Sequence, residues 1–290
     1  MDARDRPRAP VLCTRLLLMK ALRAVAFLVA MAGCGIVHAQ TETMRSDVLG
    51  RSTQVIVVTT ADWNTVQGQL QRLERASVHA RWHAVGTPIA IVVGRNGLGW
   101  GLGMVATDGP EVRASSDPVK KEGDIRSPAG IFTLGTAFGY AAQPLDGLKL
   151  PYLQLTPAIE CVDDPASQHY NRIVDRADVT PDWKSSEHMR DAGEAYVWGV
   201  VVNHNGTVPG TSRPVPGSGS CVFLHIWSGD ERGTTGCTAM AEPNLETLMT
   251  WLDPARHPLL VQLPEPVYAR LERAWRLPRY GPLPAMTSAK

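Results

Sequence analysis

Cys221-Val222-Phe223-Leu224-His225-Ile226-Trp227 is the stretch on which the reading of this 290-residue chain turns. Successive side chains of a strand point to opposite faces. As a strand it therefore puts Cys221, Phe223, His225 and Trp227 on one face and Val222, Leu224 and Ile226 on the other. Twelve residues after His225 (237 − 225) comes Cys237, set in Thr234-Thr235-Gly236-Cys237-Thr238. Sulfur attacks as thiolate, so a reactive cysteine needs a neighbour that takes its proton. Histidine suits that task because it titrates near neutrality. Gly236 permits a tight turn, and backbone N–H groups around Cys237 could stabilise an oxyanion. The competing readings are a buried structural cysteine at 237 and a hydrogen-bonded core histidine at 225.

Outward from this stretch the chain reads as short strands. Gln54–Val58 is β-branched, His79–Val85 alternates, Ile89–Val93 is an apolar run, and Asn96-Gly97 marks a hairpin turn. Gly97, Gly99, Gly101 and Gly103 alternate. They miss the G-x-G-x-x-G spacing of a dinucleotide loop and instead predict close approach of another backbone. Pro128 and Gly130 predict a turn, with a strand from Ile131 to Leu134; Tyr196–Val202 and Leu259–Leu263 predict two more strands. Helices are expected over Asp62–Ala76, where Trp63, Val66, Leu70 and Leu73 fall at helical spacing, over Glu242–Leu252, and at the surface over Arg270–Trp275. Residues 156–194 read as a long irregular, Asp-rich excursion, and Asn205–Ser220 as a loop. The pattern predicts a mainly β fold with appended helices.

Residues 1–23 carry six Lys/Arg against two acids, residues 24–37 carry no charge, and Val37-His38-Ala39 ends the run with small residues. This predicts a secretory signal over residues 1–39, with Met19 as the true start. Ala32-Gly33-Cys34 offers a lipoprotein alternative. Residues 40–53 read as a disordered lead-in. Taking the leader's six basic and two acidic residues from 29 and 28 leaves 23 and 26, a net charge of −3, which argues against a nucleic-acid partner. No later stretch is apolar enough to span a bilayer.

Export leaves Cys161, Cys221 and Cys237, an odd number in an oxidising compartment. A Cys161–Cys221 disulfide with Cys237 free is the expected partition. A Cys₃His zinc site from the same residues lacks any closely spaced cysteine pair. His79 and His83 read as exposed strand positions. His204 is a further candidate for lining a cleft, and Asp163, Asp164, Tyr170 and Asn171 are candidates for contacting free carboxylates or amines of a ligand.

Phe223-Leu224-His225 followed by Thr234-Thr235-Gly236-Cys237 resembles the signature of the L,D-transpeptidase catalytic-domain family (YkuD-type). Lys121-Glu122-Gly123-Asp124 and Ser127-Pro128-Ala129-Gly130-Ile131-Phe132 resemble its strand-turn element. The resemblance spans residues 88–264, with 54–87 as a strand-helix-strand element before it and 265–290 as a C-terminal helix and tail. It implies a mixed sandwich or barrel-like sheet and an envelope enzyme acting on peptidoglycan stem peptides without metal or organic cofactor. Cys237 would be the nucleophile, His225 its base, Gly236 and Thr235 the oxyanion turn, and the Ile226 carbonyl the group that orients His225. The product would be a 3→3 cross-link or an exchanged terminal D-amino acid; with water as acceptor the site would be a carboxypeptidase. Three departures stand out: Thr235 where the family often has His, Ala239 where it has Arg or Asn, and a short His-to-Cys spacing.

Overall fold

The computed structural model describes residues 49–279 apart from residue 209. The predicted signal and residues 40–48 of the lead-in lie outside that range. The chain forms β1 (Gln54–Thr60), β2 (Gln67–Glu74), β3 (His83–Val92), β4 (Leu98–Trp100), β5 (Ser127–Gly139), β6 (Tyr152–Gln154) and β7 (Ile159–Val162). There follow β8 (Ile173–Asp175), β9 (Ser186–His188), β10 (Trp198–Val202), β11 (Phe223–Ile226), β12 (Thr238–Met240), helix α1 (Glu242–Trp251), β13 (Leu259–Pro264) and helix α2 (Glu265–Trp275). Among the described residues the fold is mainly β, with both α-helices following β12.

The main sheet runs β10-β11-β12-β3-β2-β1-β13-β5, and pairing of β10 with β5 closes these strands into a ring. Closure removes the exposed edges that an open sheet would leave unpaired. β4 and β6 pair with β5, while β8-β7-β9 form a separate small sheet. Every residue of β1 and β13 is buried, as expected of strands covered on both faces. Gln262, buried on β13, is satisfied by donating to the Pro128 carbonyl at 2.8 Å and accepting from Thr238 Oγ1 at 2.7 Å.

Several expectations need correction. The helix predicted over Asp62–Ala76 is β2, paired antiparallel with β1 and β3. Leu70 and Leu73 lie on opposite faces of this strand and both are buried, so a strand covered on two sides mimics helical spacing. Asp62 does cap, but it caps a turn, accepting from the Asn64 and Thr65 N–H groups at 2.8 Å. With β1, β2 and β3 in the ring, residues 54–87 are no separate strand-helix-strand element, and the 87/88 boundary falls inside β3. Its first strand begins at His83, after a turn at 77–80.

The turn predicted at Pro128 and Gly130 lies within the continuous strand β5. Pro128 is tolerated there because it is the second residue of the strand, before pairing with β13 begins at Gly130, so no ladder bond needs its missing N–H. The excursion 156–194 is not irregular: it carries β7, β8 and β9 and a 3-10 turn at Met189–Asp191. The C-terminal helix starts at Glu265, and it is no surface helix: Val267, Tyr268, Leu271 and Trp275 are buried. Leu49 joins the core, so residues 49–53 are ordered against the fold.

The alternating glycines do admit close neighbours. A Cβ at Gly97 would lie 2.1 Å from the Trp63 carbonyl oxygen, and one at Gly103 would lie 2.3 Å from that of Ile131. Helix α1 buries Leu245, Leu248 and Met249, as its spacing predicts.

Candidate functional site

Strands β11 and β12 run parallel, with Leu224 beside Thr238 and His225 beside Ala239. Cys237 immediately precedes β12. Neighbouring residues of paired strands share a face and alternate along it. His225 and Cys237 therefore face the same way, one step apart diagonally. On its other side His225 is paired with Gly199 of β10. Gly199 admits the Phe138 ring, which a Cβ there would meet at 2.2 Å.

His225 Nδ1 lies 2.7 Å from the Ile226 carbonyl oxygen. A carbonyl only accepts, so Nδ1 carries the hydrogen and Nε2 presents a lone pair. Burial pushes the imidazole down to about 4, so it is neutral at pH 7. This is the tautomer and charge state that a proton acceptor needs.

Cys237 is 5% exposed and is the free cysteine of the described residues. Its sulfur accepts from the Phe223 N–H at 3.2 Å and lies 3.5 Å from the Cys221 carbonyl oxygen. Burial, with the Glu187 carboxylate adding to it, pushes the thiol up to about 12. At rest the pair is thus neutral thiol and neutral imidazole, and ionisation must accompany attack.

The Cys237 carbonyl is gripped by two hydroxyls, Thr234 Oγ1 at 2.6 Å and Ser127 Oγ at 2.7 Å. Ser127 also accepts from the Gly94 N–H at 2.8 Å, so it joins the ends of β3 and β5 to the cysteine turn. This explains the serine of the Ser127-Pro128-Ala129-Gly130 stretch. Gly236 has φ 154°, a backbone conformation other residues rarely adopt. Its N–H donates to Thr234 Oγ1 at 3.1 Å and so is engaged at rest. Thr235 is exposed beside it.

Cys161 and Cys221 form a disulfide, separated by 60 residues with Cα atoms 5.9 Å apart. It fastens β7 of the excursion to the residue whose carbonyl faces the thiol. Asn171, fully buried, accepts from the Cys221 N–H at 3.0 Å and from Thr207 Oγ1 at 3.0 Å.

No family model, curated protein or solved structure matches this chain. The site is therefore read from its own geometry.

Several candidates fall away from it. His204 is fully buried, accepting from the Leu102 N–H at 3.3 Å and meeting the Ser218 carbonyl oxygen at 2.9 Å. It lines no cleft. Tyr170 donates to Glu122 Oε2 at 2.5 Å and accepts from the Gly219 N–H at 3.1 Å. With Asn171 it pins the excursion to the 205–220 loop. Asp164 caps a turn by accepting from the Ala166 and Lys184 N–H groups. His83 pairs with Glu74 at 3.3 Å on the surface.

Two site residues escape sequence reasoning, Tyr196 and Glu187. Tyr196 packs edge-on against His225 with ring centroids 5.5 Å apart, and its hydroxyl donates to Glu187 Oε1 at 2.7 Å. Neither residue stands in a motif: Glu187 comes from β9 and Tyr196 from the 3-10 turn before β10.

Proposed function

We propose that the protein is a peptidoglycan L,D-transpeptidase of the cell envelope that works through a Cys237 thioester. The observation that carries this reading is a thiol on the same sheet face as a neutral imidazole, whose Nε2 is left as the acceptor by the 2.7 Å Nδ1 contact to the Ile226 carbonyl. The resemblance of the 223–237 segment and of 121–132 to the L,D-transpeptidase signature supplies the substrate class. The Cys161–Cys221 disulfide supports an oxidising location outside the cytoplasm. No helix among the described residues is long and apolar enough to cross a membrane.

In this reading the Cys237 sulfur attacks the carbonyl carbon of the third stem residue while its proton passes to His225 Nε2. The tetrahedral oxyanion collapses, and the terminal D-alanine leaves as an amine that takes the proton back. An amine of a second stem then attacks the thioester, loses its proton to His225, and expels Cys237, forming a 3→3 cross-link. A free D-amino acid as acceptor gives exchange, and water gives a carboxypeptidase or hydrolase on the same scaffold.

One observation favours a different class. The 95% burial of Cys237 and the high thiol pKa, about 12, suit a structural cysteine in a non-catalytic wall-binding protein. Mass spectrometry of a disaccharide-tetrapeptide incubated with the protein, beside Cys237→Ala, separates these readings. A Cys237-dependent dimer lighter by one D-alanine establishes transpeptidation, and tripeptide alone a carboxypeptidase. Unchanged substrate across amine and water acceptors sinks both enzymatic readings.

A further inference from the structure

Tyr196 packs against His225 and lies in the same buried cluster as Cys237. It closes the 3-10 turn Gly193–Tyr196 just before β10 and is 4% exposed. Its ring contacts Phe138, Phe223 and His225 edge-on at centroid distances of 5.3, 5.5 and 5.5 Å. Its hydroxyl donates to Glu187 on β9, and its ring shares a buried cluster with Cys237. One phenol thus packs on the base and shares a buried cluster with the nucleophile, with a carboxylate behind it.

The charges around the sulfur are few. Lys120, ahead of β5, has its ammonium 2.6 Å from Asp124 and is largely neutralised by it. Glu187 makes no ion pair among the described residues, and Asp163, after β7, adds like charge beside it. Asp163 Oδ1 is itself buried without a hydrogen-bond partner. The acidic side of the site is therefore uncompensated, in contrast to buried Glu160, which pairs with Arg176 at 2.8 Å.

We propose that Tyr196 is a positioning residue that holds Cys237 and His225 in register, and that Glu187 behind it is an electrostatic brake on the thiol. This rests on reading Cys237 as the nucleophile. A thiolate gains a hydrogen bond from the phenol and is repelled by the carboxylate, so the two residues act on the sulfur with opposite sign. At rest Glu187 claims the phenolic hydrogen; neutralising Glu187 frees it for sulfur and lifts the repulsion together.

The test is the rate at which iodoacetamide modifies Cys237 in the full chain from pH 7 to 10, read on the Cys237 peptide by mass spectrometry. Glu187→Gln is expected to speed modification at fixed pH by about threefold or more, and Tyr196→Phe to slow it by about as much, since one pKa unit changes the thiolate fraction about tenfold. A variant that merely loosens the fold exposes the sulfur and speeds the reaction. Equal signs in the two variants, or no change in either, overturn the proposal. If Cys237 resists modification in every form, the S–H stretching band, taken as the difference from Cys237→Ala, decides instead: it shifts in both variants if the phenol holds the thiol, and an unmoved band overturns the proposal. Neither readout needs a substrate. Opposite shifts without turnover of any stem peptide would leave this arrangement standing and remove the transpeptidase reading alone.

Discussion

The sulfur of Cys237 lies 3.5 Å from the carbonyl oxygen of Cys221, the residue that the disulfide ties to Cys161. The bond that fastens the excursion thereby also sets one wall of the thiol's pocket. Cys221 has φ 52°, and its N–H is taken by Asn171, so its carbonyl is fixed from both sides.

Removing the bridge should be felt in stability and at the sulfur. Cys161→Ser with Cys221→Ser is expected to cost about 2–4 kcal/mol in denaturant unfolding, for a loop of this length. The same variant should modify faster at Cys237 in the native state, because Cys221 no longer holds its place. Unaltered modification kinetics would show that the bridge does not shape the pocket.

Cys237 and His225 should fail together. Cys237→Ala and His225→Gln are each expected to lower stem-peptide turnover by about 10³-fold or more, and the double variant to be no worse than the poorer single one. Additive losses would mean that the two side chains do not act as a unit.

The pH profile of stability has a sign that follows from burial. His225 and His204 are each held near 4 against an ordinary 6.5, so the folded state resists protonation that the unfolded chain accepts. Their contribution is complete above pH 6.5 and drains away as pH falls from 6.5 toward 4. The Cys237 thiol is raised to about 12 from 9.0, so its contribution is complete below pH 9 and is lost as pH climbs toward 12. Thermal unfolding should therefore show a plateau between these limits. His225→Gln should flatten the acid limb, and an unchanged acid limb would remove His225 from the account.

The C-terminal helix belongs to the core. Trp275 packs against Trp100 at 6.3 Å, and Trp100 against Trp63 at 5.4 Å. Trp275→Ala is expected to cost about 3–5 kcal/mol, the usual penalty for removing a buried tryptophan. A loss below about 1 kcal/mol would place the helix outside the core.

What the sequence discloses here follows the range of the interactions. Strands with a run of β-branched residues, such as β1 and β13, announce themselves because both faces are buried. Helix α1 is legible from Leu245, Leu248 and Met249. The cysteine partition is legible too, since only an odd count in an oxidising compartment needs explaining. β2 is misread because Leu70 and Leu73 answer to different layers of the fold, which no local period records. Cys237 and His225 can be named from a short motif, whereas Glu187 comes from β9 of the excursion and Tyr196 from the turn before β10. Ser127 was visible as part of a motif, but its hold on the Cys237 carbonyl depends on β3, β5 and the cysteine turn meeting at one point.

Strand β1 lies parallel to β13, with Val55 beside Leu259 and Thr60 beside Pro264. The first strand of the described chain thus waits for the last. The ring has no closed intermediate form, because β1 reaches β5 only through β13. A nascent chain cannot finish this sheet until Pro264 has emerged from the ribosome. Pairings so distant in sequence fold slowly. The sheet therefore stays open, with β1 unpaired on one side, until β13 has been made.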